Sequence, residues 1–470
     1  MATPIPDNTA SFDPALLRSL FGEPSEPLAR PVVGVCTDSR RVKKGQLYVA
    51  LRGEQHDGHA FLPQIAGTAA AAVVERGREV PAGLPAFEVD DTLEALGALA
   101  AAHRQRWPGR VVAITGSAGK TTTKELTAAA LTACGCHVLR TSGNLNNRIG
   151  VPMTLLTIGP EHDMAVIEAG TSMRGEIAAL TRIISPDVAI VTGVSVAHTE
   201  GIGTLEDVAD EKASFYDGLG DDGVAVYFAD SAPLRARLPE GAGACLGFGA
   251  SEDADVRLLG HQLGKDLRMR CSYAVPGIEA PVEVQLAMLG VGPALDAGAA
   301  LCAVLACQGA GDIPAAVAGL ARVAPVPGRL CPVAGPGGSV LIDDTYNANP
   351  ASMGASLRTL AEAARARGGR AIAVLGDMKE LGAESADAHV EVGRQAAAAG
   401  VETLIGCGHA MAAAVKSAAA AGVPRALLAA DTDEASASVG SLGSGDVVLV
   451  KGSRSMRMER VVQALQGGAA

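Results

Sequence analysis

The sequence predicts an α/β protein of three domains, and three observations predict it. Short apolar runs alternate with longer Ala- and Leu-rich runs along most of the chain, as in mainly parallel sheets with crossover helices. The chain's 470 residues exceed what one core holds, at roughly 100–200 residues per domain. Two Pro/Gly breaks, Pro108-Gly109 and Ala324–Arg329, interrupt the alternation. The expected domains are residues 1–107, 108–325 and 326–470.

Each element follows from its local pattern. In the first domain Asp13-Pro14 starts a short helix, because Asp caps free N–H groups and Pro suits the first turn. Val32–Thr37, Leu47–Leu51, Ala71–Glu75 and Ala86–Val89 read as strands, and Leu93–Trp107 as a helix. The second domain opens on the apolar strand Val111–Thr115, a Gly-rich turn and a helix over Thr121–Cys134. Strands Met164–Glu168 and Val188–Thr192 both end in polar residues. Between about 245 and 290 the pattern alternates, as in Arg268–Val275 and Val282–Leu286, which predicts an antiparallel addition. An Ala-rich helix, Ala294–Cys307, follows. In the third domain, strands Val340–Asp344, Ala371–Leu375, Thr403–Ile405 and Val447–Lys451 are separated by helices. This is an open doubly wound pattern, whose ligands bind beyond the carboxyl ends of the strands.

Composition removes several functions. With 48% apolar and 19% charged residues the chain is not disordered, and with only 3% aromatics its cores must be filled by Ala, Val, Leu and Ile. A net charge of −12 repels phosphate backbones, so no nucleic acid is expected as a partner. Met1–Ala10 has no basic start or apolar stretch, so no signal peptide is read there. The apolar window Leu286–Cys307 is broken by Pro293, Asp296 and several Gly, which favours a buried helix over stable membrane insertion. The nine cysteines are odd in number and scattered, with no CxxC pair and no zinc-site spacing. Reduced thiols in a cytoplasmic protein are expected.

The strongest local signal is the run from Val111 to Thr123. A strand ends, a turn of small residues follows (Gly116, Ser117, Ala118, Gly119), then Lys120, Thr121, Thr122 and a helix. Backbone N–H groups of such a turn surround phosphate oxygens, the lysine reaches the β- and γ-phosphates, and the Thr121 hydroxyl suits Mg²⁺. Ile114 stands where the strict GxxxxGK[ST] pattern has its first Gly, so a merely structural turn is the competing reading. Glu168 closes its strand, His198 lies just past another, and Lys212 follows on a helix. Singly, a strand-end Glu is a helix cap and a lone His a satisfied surface or core residue. Jointly, after a phosphate loop, they become candidate ligands. Asp343–Pro350 and Lys451–Arg454 sit at strand ends in the third domain. Paired Asp there can hold ribose hydroxyls or a cation, and Lys451 with Arg454 can meet an anion; ordinary turns are the alternative.

Beyond this point the motifs are specific. Thr37–His59, Thr115–Thr122, Thr141–Leu156, Asp343–Pro350, Leu375–Gly382 and Lys451–Ser455, in this order, resemble the Mur ligases of peptidoglycan synthesis. Within them they resemble the branch that adds D-Ala-D-Ala to a UDP-MurNAc-tripeptide. The resemblance spans nearly the whole chain. It implies an N-terminal α/β UDP-binding domain, a central P-loop ATPase domain with a mainly parallel sheet, and a C-terminal Rossmann-like domain. It implies a cytoplasmic, monomeric, ATP- and Mg²⁺-dependent ligase whose third domain closes onto the second. By the same resemblance Lys120, Glu168, His198 and Lys212 are catalytic. Thr121, Glu168, His198 and Lys212 are metal ligands, the last as a carbamate in several family members. Gly116 to Thr122, Arg329, Asp344 and Asn347 meet nucleotide, with Asp344 on its ribose. Ser39 and Arg40 meet uridine, and Asn144, Asn146 and Asn147 meet the muramoyl-peptide. Lys451, Ser453 and Arg454 meet the incoming dipeptide.

The chain departs from the family at Gly290–Asp296. Gly292, Pro293 and Asp296 replace the His and both Asn of a His-Asn-Val-x-Asn segment, one Asn of which contacts adenine. Asp296 either meets adenine's exocyclic amine or caps its own helix. Gly193 and Ser214 also replace the family's Asn and Glu. A folylpolyglutamate-type ligase, another Mur step and a non-catalytic nucleotide-binding paralogue are the other readings.

Overall fold

The computed structural model describes residues 3–53, 56–195, 202–240, 243–379 and 381–467, and the fold is mixed α/β. The first sheet has four parallel strands in the order Val35–Cys36, Leu47–Val49, Ala71–Glu75, Ala86–Val89. The run expected as one strand over Val32–Thr37 divides at Gly34, whose φ of +88° turns the chain. Val32–Val33 pairs antiparallel with Ser11–Phe12 instead. Asp13 caps the helix Pro14–Phe21 by accepting from the Leu16 N–H.

The central sheet has nine strands. In spatial order they are Ile278–Leu286, Met269–Val275, Val256–Leu263, Ala244–Gly249, Val224–Phe228, Val188–Val191, Arg110–Thr115, Met164–Glu168 and Val138–Arg140. The first two form the expected antiparallel addition. Val256–Leu263 escaped the sequence reading because only its first half alternates in burial; its second half is exposed or nearly so. The helix Thr92–Gln105 buries Leu96 and Leu99 in a core that joins the first domain to one face of this sheet. On the other face Lys120–Ala133 and Val291–Cys307 pack around Val112, Ile114 and Ile190 of the same sheet, in a core rich in Ala, Val, Leu and Met. The second of these helices starts at Val291, with Pro293 in its first turn.

The third domain carries a six-stranded sheet in the order Cys331–Ala334, Val340–Asp344, Val447–Lys451, Ala371–Gly376, Thr403–Cys407, Arg425–Ala429. Only the first edge pairs antiparallel. Leu267 and Leu289 of the central domain are buried in this domain's core, which seats the two domains on each other. Among the described residues no helix is long and apolar enough to cross a membrane. All nine cysteines are free thiols.

Candidate active site

The site is built at the carboxyl end of the central strand Arg110–Thr115. Its neighbours are in register, Ile114 with Glu168 on one side and Thr115 with Val191 on the other, so the ends of three strands open together. Gly116 (φ +145°) and Gly119 (φ +83°) bend the loop where L side chains are strained. A Cβ at Gly116 would strike the Thr192 hydroxyl, and one at Gly119 would strike Asp296 Oδ1. The helix that begins at Lys120 has no side-chain N-cap bond, so its first N–H groups are available to an anion. Ser117 Oγ accepts from the Ser195 N–H, and Thr192 Oγ1 donates to the Ala118 carbonyl, which fixes the loop against the next strand end. Ala118 is exposed, and Thr122 is buried in the first turn of the helix.

Lys120 Nζ donates to the Gly116 carbonyl at 2.6 Å, folded back over the curve of the loop. Burial lowers its pKa and the Arg329 charge adds to this, against the pull of Glu168. Thr121 Oγ1 donates to Glu168 Oε1 at 3.3 Å, and Asn146 Nδ2 donates to the same oxygen at 2.8 Å. Glu168 is buried and, among the described residues, its Oε2 has no partner within hydrogen-bond distance. Such an orphaned carboxylate oxygen beside a hydroxyl fits a hard divalent cation. Among the described residues no three His, Cys, Asp or Glu converge. Lys212 lies on the helix Leu205–Ala213 and is 2% exposed. Burial, then the nearby Lys120 charge, brings its pKa down to about 7. His198 lies outside the described residues.

The third domain reaches the loop through Arg329. Its guanidinium stacks 4.2 Å over the Tyr346 ring, and its charge acts on both Lys120 and Asp296. Two residues expected on ligands are bonded to each other, Asp344 and Lys451. Lys451 Nζ donates to Asp344 Oδ2 at 2.7 Å and to the Asn347 carbonyl at 3.0 Å, and both charged groups are buried. Asp344, expected on ribose, also accepts from Ser356 Oγ and the Leu330 N–H. The cause is register: Asp344 pairs with Lys451 on adjacent parallel strands. The pair therefore holds the Arg329 turn and the Asn347 turn together. Asn347 is exposed, and Arg454 is exposed beside Glu459 at 3.6 Å. Ser453 Oγ accepts from the Lys379 N–H at 2.8 Å, tying two strand-end loops.

The three loop asparagines divide their work. Asn147 Oδ1 accepts from the Ile149 and Gly150 N–H groups and shapes the loop. Asn144 Oδ1 accepts from Thr3 Oγ1. Only Asn146 reaches the metal-type carboxylate. In the first domain Ser39 is half-buried, and the exposed Arg40 is paired with Asp38 at 2.7 Å. Asp296 does not cap its helix, because the cap is Gly290; its carboxyl is buried against Gly119. Sequence reasoning missed Lys124. This fully buried lysine donates to the Thr141 carbonyl at 2.8 Å, pairs with Glu125 at 2.9 Å and lies 4.0 Å from Glu168 Oε2. Its position four residues after Lys120, on the same helix face, was the available signal.

Comparison with known proteins places the chain in a family. Three family models match in series: "Mur ligase family, catalytic domain" over residues 31–104, "Mur ligase middle domain" over 114–304 and "Mur ligase, glutamate ligase domain" over 328–454. A UDP-N-acetylmuramoyl-tripeptide–D-alanyl-D-alanine ligase of Escherichia coli is 40% identical over 92% of this chain and 93% of its own. One of Bacillus subtilis is 32% identical over the same shares. The crystal structure of MurF from Acinetobacter baumannii superposes with a TM-score of 0.85 at 29% identity, covering 99% of this chain and 100% of that one. MurF ligase from Thermotoga maritima in complex with ADP gives 0.82 at 28%, covering 93% and 97%. With the phosphate loop, its strand-end carboxylate and all three domain models following one another along its length, the chain belongs to the Mur ligase family.

Proposed function

We propose that this chain is an ATP-dependent peptide ligase that joins D-Ala-D-Ala to a UDP-MurNAc-tripeptide, in peptidoglycan precursor synthesis. The observation that carries the reading is the near full-length identity with ligases of that name. The ADP complex of the Thermotoga relative supports ATP as the nucleotide. An enzyme that consumes ATP and a UDP-sugar peptide works in the cytoplasm, and this one is read as a monomer.

A carboxylate does not acylate an amine at neutral pH, because its oxygen is a poor leaving group. Transfer of the γ-phosphoryl group of ATP to the peptide carboxylate forms an acyl phosphate and releases ADP. The dipeptide amine then adds to the carbonyl, and the tetrahedral intermediate expels phosphate as the amide forms and the amine proton is lost. The first step brings an anion to a polyanion, so positive charge must be fixed there in advance. Lys120 supplies it on leaving the Gly116 carbonyl for the phosphates, and Arg329 supplies more from the third domain. Thr121 and Glu168 would hold one Mg²⁺, His198 a second near the carboxylate under attack, and Lys212 would add an oxygen ligand once carbamylated; bound Mg²⁺ would neutralise phosphate charge. Asn146 holds the Glu168 carboxylate from the loop read as meeting the muramoyl-peptide. Ser39 and Arg40 take the uridine end, and Arg454 remains the exposed cation for the dipeptide carboxylate.

Phosphate release measured with ATP should require both the UDP-MurNAc-tripeptide and D-Ala-D-Ala. Release with a folate and glutamate, with another amino acid, or none at all would replace this reading by one of its alternatives.

Lys212 gives a second expected result. Burial keeps much of it uncharged near neutral pH, and an uncharged amine is the form that takes up CO₂ as a carbamate. Lys212→Ala should be nearly inactive, and short carboxylates added to the assay should restore part of the activity. Rescue by small amines and not by carboxylates would instead assign the lysine a positive charge.

A further inference from the structure

We propose that Asp296 serves nucleotide binding as a neutral carboxyl group, so that affinity for ATP and ADP falls when this one side chain ionises. The inference rests on the reading of residues 116–122 as the phosphate loop. It goes beyond that reading by assigning a charge state and a function to a residue at which this chain departs from the family motif.

The geometry comes first. Asp296 lies in the second turn of Val291–Cys307, the helix that packs along Lys120–Ala133. Its side chain faces the last residue of the loop so closely that Gly119 has no room for a Cβ. The first N–H groups of the helix that starts at Lys120 have no side-chain cap in place, which suits an anion. An ionised carboxylate buried here beside Gly119 would oppose phosphates bound on the loop. A neutral carboxyl keeps one O–H donor and its acceptors, the capacity of an amide, without the charge.

Among the described residues the groups around it do not supply a counter-ion at contact distance. Thr123, one turn into the facing helix, offers a hydroxyl, and Arg329 acts from the third domain. Tyr273, from the strand beneath, has its phenol engaged on the Ala294 carbonyl at 2.6 Å. Lys120 points to the Gly116 carbonyl. Burial accordingly pushes the Asp296 carboxyl up to about 8, against the weaker pulls of Thr123 and Arg329.

The test is calorimetric titration of ADP into the full-length protein across roughly pH 6.5 to 9.5, for wild type and Asp296→Asn. Lys120 and Arg329 are present in both proteins, so any loss due to Lys120 losing its charge is shared. The wild type should lose affinity in excess of the variant, by about tenfold per pH unit once above its titration. Thermal unfolding without nucleotide gives a second readout. A carboxyl whose folded pKa lies above its unfolded value of 3.8 loses stability as pH rises between the two. The gain in Tm from Asp296→Asn should therefore grow from about pH 4 to about pH 8 and then level off. Asp296→Ser should behave as Asp296→Asn does, and replaces it if the amide variant does not fold. Affinity profiles that run parallel in wild type and variant overturn the proposal while leaving the nucleotide site intact. Failure of the wild type to bind ADP at any pH overturns the phosphate-loop reading and the proposal with it, and failure of both variants alone, when folded, overturns the proposal.

Discussion

Lys120→Ala is expected to abolish acyl-phosphate formation while leaving the affinity for the UDP-MurNAc-tripeptide within about twofold of wild type. Phosphoryl transfer depends on charge fixed around the γ-phosphate before reaction, and loss of one such cation costs roughly a thousandfold or more. Among the described residues the Lys120 side chain bonds to a loop carbonyl and to no carboxylate, so its removal breaks no described ion pair. The residues read as meeting uridine, Ser39 and Arg40, belong to the first domain and its own four-stranded sheet. Calorimetric titration of the UDP-substrate and rapid-quench detection of ADP formation measure the two halves separately. Equal losses in both would show that the phosphate loop shapes the UDP site as well, and the division of labour between domains would be abandoned.

The parts of the site legible in the sequence are those fixed by local chemistry. A strand, a turn of small residues and Lys-Thr at a helix start determine the loop without help from the rest of the chain. Glu168 was legible because it closes a strand, and parallel pairing of neighbouring strands brings strand ends together. What was not legible depends on long-range register and burial. Lys451 and Asp344 were assigned to separate ligands, yet they pair across adjacent strands, 107 residues apart in sequence. Lys124 sits in a Thr-Lys-Glu run that reads as a solvated helix face, and is buried because the helix lies against the loop that starts at Thr141. Asp296 could be read from sequence as a helix cap, because the helix start was expected at Ala294. Its true start at Val291 moves Asp296 into the second turn and onto the phosphate loop. Edge strands were missed for a related reason: Arg425–Ala429 is largely half-exposed and carries no clean alternation.

Glu168→Ala is expected to lower kcat by roughly a thousandfold, about 4 kcal/mol of transition-state stabilisation, and to raise the Mg²⁺ concentration needed for half-maximal activity. The carboxylate is buried, one oxygen is held by Thr121 and Asn146, and the other has no hydrogen-bond partner among the described residues. A buried oxygen left without a donor costs free energy that packing alone gives no reason to retain. A cation bound there satisfies it. Lys124, 4.0 Å away, cannot replace that cation, because its ammonium is held by Thr141 and Glu125. Glu168→Gln separates the metal role from the structural one. It keeps an acceptor for Thr121 and Asn146 and the side-chain volume, but loses the charge. The Gln variant should unfold within a few degrees of wild type and still show most of the loss in kcat. A Gln variant with near wild-type turnover at modest Mg²⁺ would remove Glu168 from the metal site and leave it as a brace between the phosphate loop and the Asn146 loop.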